Sequence, residues 1–236
     1  MAIYDSYTGR DRVGLGIRLK RRIAAQVYGR AERHLEGGIR QVFEVGPGDG
    51  YIAEIARVRG AGYRALERNS RIGESMRSRG FDVECVSVPP VPRMKEASDA
   101  CFLLHVIEHM GSVGDAASLV QGLRENLRAG GVLVVATPDY ASWGYRFFDC
   151  DYTHSFPFTR RRLGQLLQDH EFEVVEETFY SGAVFGTLAQ VLGGICRIAY
   201  PQWVDQLIGK AIPRDILNRG LLTFLPCLVT IAVRKA

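Results

Sequence analysis

Cysteine is scarce in this chain: five in 236 residues (Cys85, Cys101, Cys150, Cys196 and Cys227), odd in number, widely spaced and never set as C-x-x-C. That pattern excludes a disulfide framework and a thiolate zinc site and fits a reducing compartment. The opening residues MAIYDSYTGR lack the apolar core of a signal peptide, and the segment behind them carries too many arginines to be one, so a cytoplasmic location is expected. Long apolar runs are missing as well. The one uncharged stretch, 178–196, contains Ser181, Gln190 and four glycines and falls short of a membrane span. There is no internal repeat, and the proline cluster Pro89-Pro90-Val91-Pro92 reads as a loop. An excess of one charge is confined to one place. The net charge of +4 resides in residues 1–36, where eight Arg and Lys meet four Asp and Glu, while the remaining 200 residues balance at 22 against 22. This basic segment (Arg18, Lys20, Arg21, Arg22, Arg30, Arg33) is not the whole-surface field of a nucleic-acid binder, and no nucleic-acid partner is expected.

What is present is ordinary globular composition, 47% hydrophobic and 24% charged. From residue 40 onward strand-like and helix-like patterns alternate, the mark of a parallel α/β sheet. Short apolar runs predict strands at 41–45, 63–66, 83–88, 100–104 and 132–136, with helices at 51–59, 71–79, 116–128 and 159–170. A last pair, 173–180 and 227–233, reads as an antiparallel edge. The expectation is one doubly wound, seven-stranded, Rossmann-like domain over 1–236, its last strand antiparallel, with a basic amphipathic helix at 11–36 in front of the first strand. About forty-five residues separate the last two strands, so a helical insert is expected at 181–226. Val184, Leu188, Val191, Leu192 and Ile195 recur there at helical spacing, and Trp203, Leu207, Ile208 and Ala211 form a second stripe after Pro201. Such stripes most often pack as core; the other readings are an acceptor lid, a homodimer face or a membrane-surface helix.

The strongest local signal is Val42-Phe43-Glu44-Val45-Gly46-Pro47-Gly48-Asp49-Gly50, a strand running into a glycine turn and then a helix. Glycines there allow positive φ and close approach of a ligand to the backbone, and the helix start offers unpaired N–H groups. A phosphate loop would need Lys-Ser or Lys-Thr after the glycines, and a dinucleotide loop would be G-x-G-x-x-G; neither spacing is present. Acidic Glu44 and Asp49 disfavour a pyrophosphate, and so a nicotinamide enzyme, and suit a ligand carrying an ammonium and a sulfonium. Twenty-one residues beyond Gly46, at the end of the second strand, Glu67 is placed to accept hydrogen bonds from both hydroxyls of a ribose.

With these pieces in place the sequence resembles the class I S-adenosylmethionine-dependent methyltransferases. Glu44 to Gly50 is similar to their first motif and Glu67 to their ribose-binding acid, while His105-Val106-Ile107-Glu108-His109 resembles the motif after the fourth strand. Leu127-Arg128-Ala129-Gly130-Gly131 resembles the turn into the fifth. The nearest branch is the ubiquinone O-methyltransferase-like group, with its later D-x-x-H-x-x-x-F element at Asp151, His154 and Phe158. The resemblance implies S-adenosyl-L-methionine as cofactor, held by Glu44, Gly46, Gly48, Gly50, Glu67, Arg68, Ser87 and His105. The third strand ends Val86-Ser87-Val88-Pro89 without the acid that the family often sets against adenine.

Methyl transfer to a hydroxyl requires an aligned nucleophile and removal of its proton. The expected base is His154, with Asp151 orienting it and His109 as the alternative; His105 packs against the donor and Glu108 anchors its loop. H-x-x-E-H is also a zinc-peptidase signature, set aside here because it follows an apolar strand. No metal ligand is assigned, although a divalent ion held by His105, Glu108, His109 or Asp151 is the competing way to ionise a hydroxyl. Tyr4 and Tyr7 are candidates for a lid, and Arg160, Arg161 and Arg162 for an anion-receiving helix start. The function expected is methylation of oxygen on a small, apolar or lipid-linked acceptor. The alternative is a non-catalytic cofactor-binding subunit that steadies a partner.

Overall fold

A strand buried on both faces forms where both faces of a sheet are covered, and the first and fourth strand runs of this chain have that character. The computed structural model describes residues 14–182, 184–199 and 225–235. In chain order the elements are α1 (Gly14–Glu32), β1 (Gln41–Val45), α2 (Tyr51–Val58), β2 (Gly62–Glu67), α3 (Ser70–Ser78), β3 (Asp82–Cys85) and β4 (Ser98–Leu104). There follow a 3₁₀ turn at Ile107–His109, then α4 (Val113–Asn126), β5 (Leu127–Pro138), α5 (Tyr140–Trp143), α6 (Arg146–Asp149) and α7 (Arg160–Asp169). The last elements are β6 (Phe172–Ser181), β7 (Val184–Phe185), α8 (Thr187–Ala199) and β8 (Cys227–Arg234).

The strands form one sheet in the order β3-β2-β1-β4-β5-β8-β6-β7. β1 to β5 run parallel, and β8 lies antiparallel to both β5 and β6. The chain winds outward from β1 through β3 and then restarts at β4 on the other side of β1. The crevice beyond the C-terminal ends of β1 and β4 is therefore the switch point at which such sheets bind ligands.

Alternate residues feed two layers. Phe43, Val45, Leu103 and Leu133 pack against Leu119 and Leu123 of α4 and Leu163 and Leu167 of α7. Val42, Phe102, Val132 and Val134 pack against Val27 and Tyr28 of α1 and Ile52 and Ala56 of α2. Side-chain caps fix the helix starts: Asn69 accepts from the amides of Arg71 (3.0 Å) and Ile72 (3.4 Å), and Thr159 from that of Arg162 (3.3 Å). Helix α1 stacks Tyr28 on Phe102 at 5.7 Å between ring centroids. Part of its basic face is used internally, because Glu176 of β6 receives Arg30, His34 (2.9 Å) and Arg33 (3.7 Å).

The structure differs from the sequence reading in four respects. The sheet has eight strands, because the two residues of β7 turn back on the end of β6. The expected antiparallel pair does stand at that side of the sheet, β8 inside β6, and Leu228, Val229, Ile231 and Ala232 of β8 are wholly buried, as an unalternating apolar run requires. The third strand stops at Cys85, short of the prolines that cannot donate to a ladder. β5 starts at Leu127 instead of 132, its register with β4 shifting between Ser98 and Ala100. In the insert, α8 turns Leu188, Val191 and Ile195 outward and buries Ala189, with Gly193 set against Pro226, while Val184, packed on the core, and Leu192 are half-buried, so the stripe is core only in part. Tyr4, Tyr7 and the stripe from Trp203 to Ala211 lie outside the described residues. Among those described, no helix is long and apolar enough to cross a membrane.

Asp99, the buried second residue of β4, joins three strand starts. Its Oδ2 accepts the amides of Arg40 and Gln41, both at 2.9 Å, and its Oδ1 accepts Arg128 Nε at 2.7 Å. Burial raises the carboxyl pKa, but Arg128 and the two amides outweigh it and hold it below the ordinary carboxylate value. Asp99→Ala strands both amides and the guanidinium and is expected to cost about 2–3 kcal/mol, measured by thermal or urea unfolding. An unchanged melting profile contradicts this account of the node.

Candidate functional site

The glycine turn is set by its surroundings more than by its own flexibility. Gly46 (φ +70°) donates to Leu66 O at 2.9 Å, and a Cβ there would meet Val106 Cγ2 at 2.5 Å. Gly50 (φ +76°) caps α2 in the left-handed region, and its Cβ would meet Met76 Sδ at 2.5 Å. At Gly48 (φ +53°), by contrast, a Cβ would meet nothing within 4 Å. The loop is thus packed from below at Gly46 and Gly50 and open at Gly48.

Its two carboxylates are not equivalent. Glu44, 2% exposed, accepts a 2.5 Å hydrogen bond from the Tyr63 hydroxyl. Burial first, with the nearby Glu67 adding to it against the Tyr63 bond, pushes its pKa up to about 8. Glu44 is therefore a largely neutral acid at pH 7 in this structure, not the anion read from the sequence. Asp49 faces Lys20 of α1 at 3.4 Å. Glu67 closes β2 and accepts the Asn69 amide at 2.8 Å. Burial raises its pKa, against the amides of Asn69, Gly48 and Arg68 that lower it. The same carboxyl thus braces the open glycine. Arg68 and Ser87 are exposed just past the ends of β2 and β3.

The second half of the site follows β4. His105 adopts φ 57°, a left-handed conformation costing a non-glycine residue about 1–2 kcal/mol. It is held there by its amide on Ala136 O (2.8 Å) and its ring between Glu108 Oε1 (3.2 Å) and the Tyr180 hydroxyl (2.5 Å). Glu108 is 1% exposed; its carbonyl accepts the amides of Ser155 and Phe156, each at 3.0 Å, and pins the 151–156 loop to the 3₁₀ turn. Its second carboxylate oxygen, Oε2, is buried with no hydrogen-bond partner. Burial pushes this carboxyl up, but the His105 bond and the His105 and His109 rings outweigh it and hold it below the usual value.

His109 and His154 lie side by side, ring centroids 4.9 Å apart. Thr153 Oγ1 donates to Asp151 Oδ1 at 2.6 Å and so accepts from His109 Nδ1 at 2.9 Å, which leaves the ring's lone pair on Nε2. His154 Nδ1 donates to Phe147 O at 2.7 Å, with Cys150 Sγ at 3.4 Å, and its lone pair is likewise on Nε2. Burial pushes His154 below the ordinary imidazole value, against the pull of Glu108. The structure brings His105, Glu108, His109 and His154 together; the Asp151 carbonyl accepts the His154 amide at 3.0 Å, and its Oδ1 accepts the Thr153 amide and hydroxyl, which places that carboxylate behind His109 as well. Arg160 pairs with Glu177 at 2.6 Å and Arg162 lies 4.1 Å over the Phe156 ring, so two of the three arginines have internal partners.

Sequence reading missed Tyr63, Val106, Thr153, Phe147 and Tyr180. Only Tyr63 had a signal, as an aromatic residue in the strand that would pair beside Glu44. Val106 and Thr153 are brought in by loops whose course has no periodicity, and Phe147 and Tyr180 by a short helix and the far end of a strand.

Glu44 generates a pH prediction. Its folded pKa, about 8, lies above its ordinary 4.5, so the stability of its protonated form is complete below about 4.5 and is lost as pH rises toward 8. Glu44→Gln removes that dependence. The variant is expected to lose less in melting temperature than the wild type between pH 5 and 8 and to melt higher at pH 8. Parallel profiles contradict the assignment.

A family profile described as "Methyltransferase domain" matches residues 18–177. No curated protein matches the chain in sequence. Among solved structures, the chain is similar in fold to a SAM-dependent methyltransferase from Archaeoglobus fulgidus, at 18% identity over 90% of this chain and 93% of that one, TM-score 0.60. It is also similar to the N-methyltransferase NodS from Bradyrhizobium japonicum WM9 in complex with S-adenosyl-L-homocysteine, at 12% identity over 92% and 88%, TM-score 0.61. The [4+2]-cyclase SpnF matches at 18% over 92% and 81%, TM-score 0.62. Likeness at these identities shows the fold alone; the family rests on the profile, which spans more than half of the sequence. The chain belongs to the methyltransferase domain family, the class I S-adenosylmethionine-dependent methyltransferases.

Proposed function

We propose that the protein transfers a methyl group from S-adenosylmethionine to oxygen on a small, apolar or lipid-linked acceptor, in the manner of the ubiquinone O-methyltransferase-like branch. The observation that carries this reading is the placement of His109 and His154 beside Glu108 in the segment that packs, through Val106, on the glycine loop. The donor supplies an electrophilic methyl on a cationic sulfur. The chain fits such a ligand: Gly48 leaves its approach open, Glu67 lies beside it to receive the ribose hydroxyls, and no Lys-Ser or Lys-Thr follows the glycines as in a phosphate loop. Gly46, Gly50, Arg68, Ser87 and His105 form the remainder of the proposed cofactor surface, with Glu44 buried beneath the loop as its support.

His154 and His109 have the chemistry to take a hydroxyl proton. Each has its Nδ1 engaged by an oxygen and its basic lone pair on Nε2, an arrangement that fixes ring and tautomer together. An amine already neutral at pH 7 would need no such pair, because its lone pair attacks directly. The apolar or lipid-linked character of the acceptor is supported by α8, whose Leu188, Val191 and Ile195 present one outward stripe, and by the exposed Tyr152 and Phe148 on and beside the imidazole loop. The same outward stripe suits a membrane surface or a second copy of the chain.

The test is methyl transfer from labelled S-adenosylmethionine to matched hydroxyl and amine acceptors. Transfer to hydroxyls is expected, with kcat reduced on the order of 10²–10⁴-fold in His154→Ala while affinity for S-adenosylhomocysteine stays within a few-fold. Transfer to amines alone, or a His154→Ala enzyme with wild-type kcat, overturns the reading.

A further inference from the structure

At the end of the sheet that bears the site, one side-chain bridge joins strands that are not neighbours. His105 follows β4 and Tyr180 lies near the end of β6, with β5 and β8 between them in the sheet order. The strands that carry the two residues are thus three spacings, roughly 14 Å, apart. Their side chains nevertheless meet: the Tyr180 hydroxyl is 2.5 Å from His105 Nε2, and the rings stand edge to face at 6.2 Å between centroids. The intervening strand ends take part. Ala136 O of β5 accepts the His105 amide at 2.8 Å, and Cys227 of β8, the register partner of Tyr180, has its thiol hydrogen-bonded to the same hydroxyl.

The hydrogens of the bridge run in one direction. The Glu108 carboxylate can only accept, so Oε1 takes the hydrogen on His105 Nδ1 (3.2 Å), and Nε2 of the neutral ring is left as an acceptor. Tyr180 donates to it, since burial holds the phenol well above its ordinary pKa and keeps the hydrogen on oxygen. The Tyr180 ring is itself fixed, 5.5 Å from the ring of Phe185 in β7, over which Arg30 of α1 lies at 5.4 Å. With both nitrogens taken, the His105 side chain, 43% exposed, offers a ligand the wall of a fixed ring and not a hydrogen bond. The backbone under that ring is at φ 57°, a conformation that a non-glycine residue leaves when its surroundings do not impose it.

We propose that Tyr180 is a positioning residue of the methyl-donor site: through its hydroxyl it holds the His105 ring, and the strained backbone under it, in the form that the donor meets. The proposal rests on the reading of His105 as part of the donor surface and is independent of the acceptor. Without the hydroxyl the free protein relaxes out of the left-handed conformation at His105. A donor that needs that conformation then binds more weakly, in proportion to the fraction of molecules that have left it. The strain sets the scale of the loss, about five- to thirtyfold.

The test is calorimetric titration of S-adenosylhomocysteine into the full-length wild type, Tyr180→Phe, His105→Asn and the double variant, each shown folded by its melting profile. Phenylalanine keeps the ring contact with Phe185, and asparagine tolerates a left-handed backbone, so neither change disturbs much beyond the bridge. Affinity is expected to fall about five- to thirtyfold in Tyr180→Phe. The same change made in His105→Asn is expected to cost less than about twofold, because the ring through which the hydroxyl acts is already gone. A hydroxyl that only braces the sheet end would cost the same in both backgrounds, and that result overturns the proposal. Wild-type affinity in Tyr180→Phe overturns it too and leaves the donor site standing. A wild type that binds no S-adenosylhomocysteine removes the donor-site reading and this proposal with it.

Discussion

The contact between Val106 and the bare Cα of Gly46 joins the two halves of this site. A Cβ on Gly46 would come within 2.5 Å of Val106 Cγ2, so the loops after β1 and β4 fit together only because that position has no side chain. This contact lies at the switch in strand order, where neighbouring strands lead away in opposite directions and leave a crevice. On one side of it the glycine turn opens at Gly48. On the other, two residues along the chain, Glu108 starts the cluster of carboxylate and imidazoles.

The polar residues around this junction are arranged by depth. Glu44 and Glu108 are both nearly inaccessible carboxyls, yet burial leaves them in opposite states. Glu44 has a single phenol for a partner and another carboxyl nearby, and is driven toward the neutral acid. Glu108 has the imidazoles of His105 and His109 at hand, and stays an anion. The difference follows from the charge each one faces, and it separates a neutral, structural acid under the donor loop from a negative centre under the imidazole pair. His105 bridges further: strained at φ 57°, its ring spans from Glu108 to Tyr180 and so ties the end of β4 to the end of β6.

Much of this was legible in the sequence where local chemistry decides it. The run 41–45 and the helix start at Tyr51 were readable because an apolar strand, three glycines and an amphipathic helix follow one another without interruption. Glu67 was readable because its distance from Gly46 is set by one helix and one strand. The antiparallel pairing of 173–180 with 227–233 was readable, but the two residues of β7 added outside β6 were not, because a two-residue strand has no periodicity to read. The partners of the histidines were not readable. Thr153, Phe147 and Tyr180 reach them through a loop, a short helix and a distant strand, and the Asp151 carboxylate stands behind His109 as well because a two-residue turn placed the Thr153 hydroxyl between them. The outward stripe of α8 shows the limit of periodicity, which locates an apolar face but not what that face meets.

The central claim is that the glycine turn and Glu67 together hold the nucleoside of the methyl donor. Calorimetric titration of S-adenosylhomocysteine into the full-length protein and into Glu67→Ala, each shown folded by thermal melting, tests it most directly. Saturable one-to-one binding to the wild type, weakened at least tenfold in the variant, is the predicted result. No binding by folded wild-type protein freed of any copurified ligand, or equal binding by both, would contradict it.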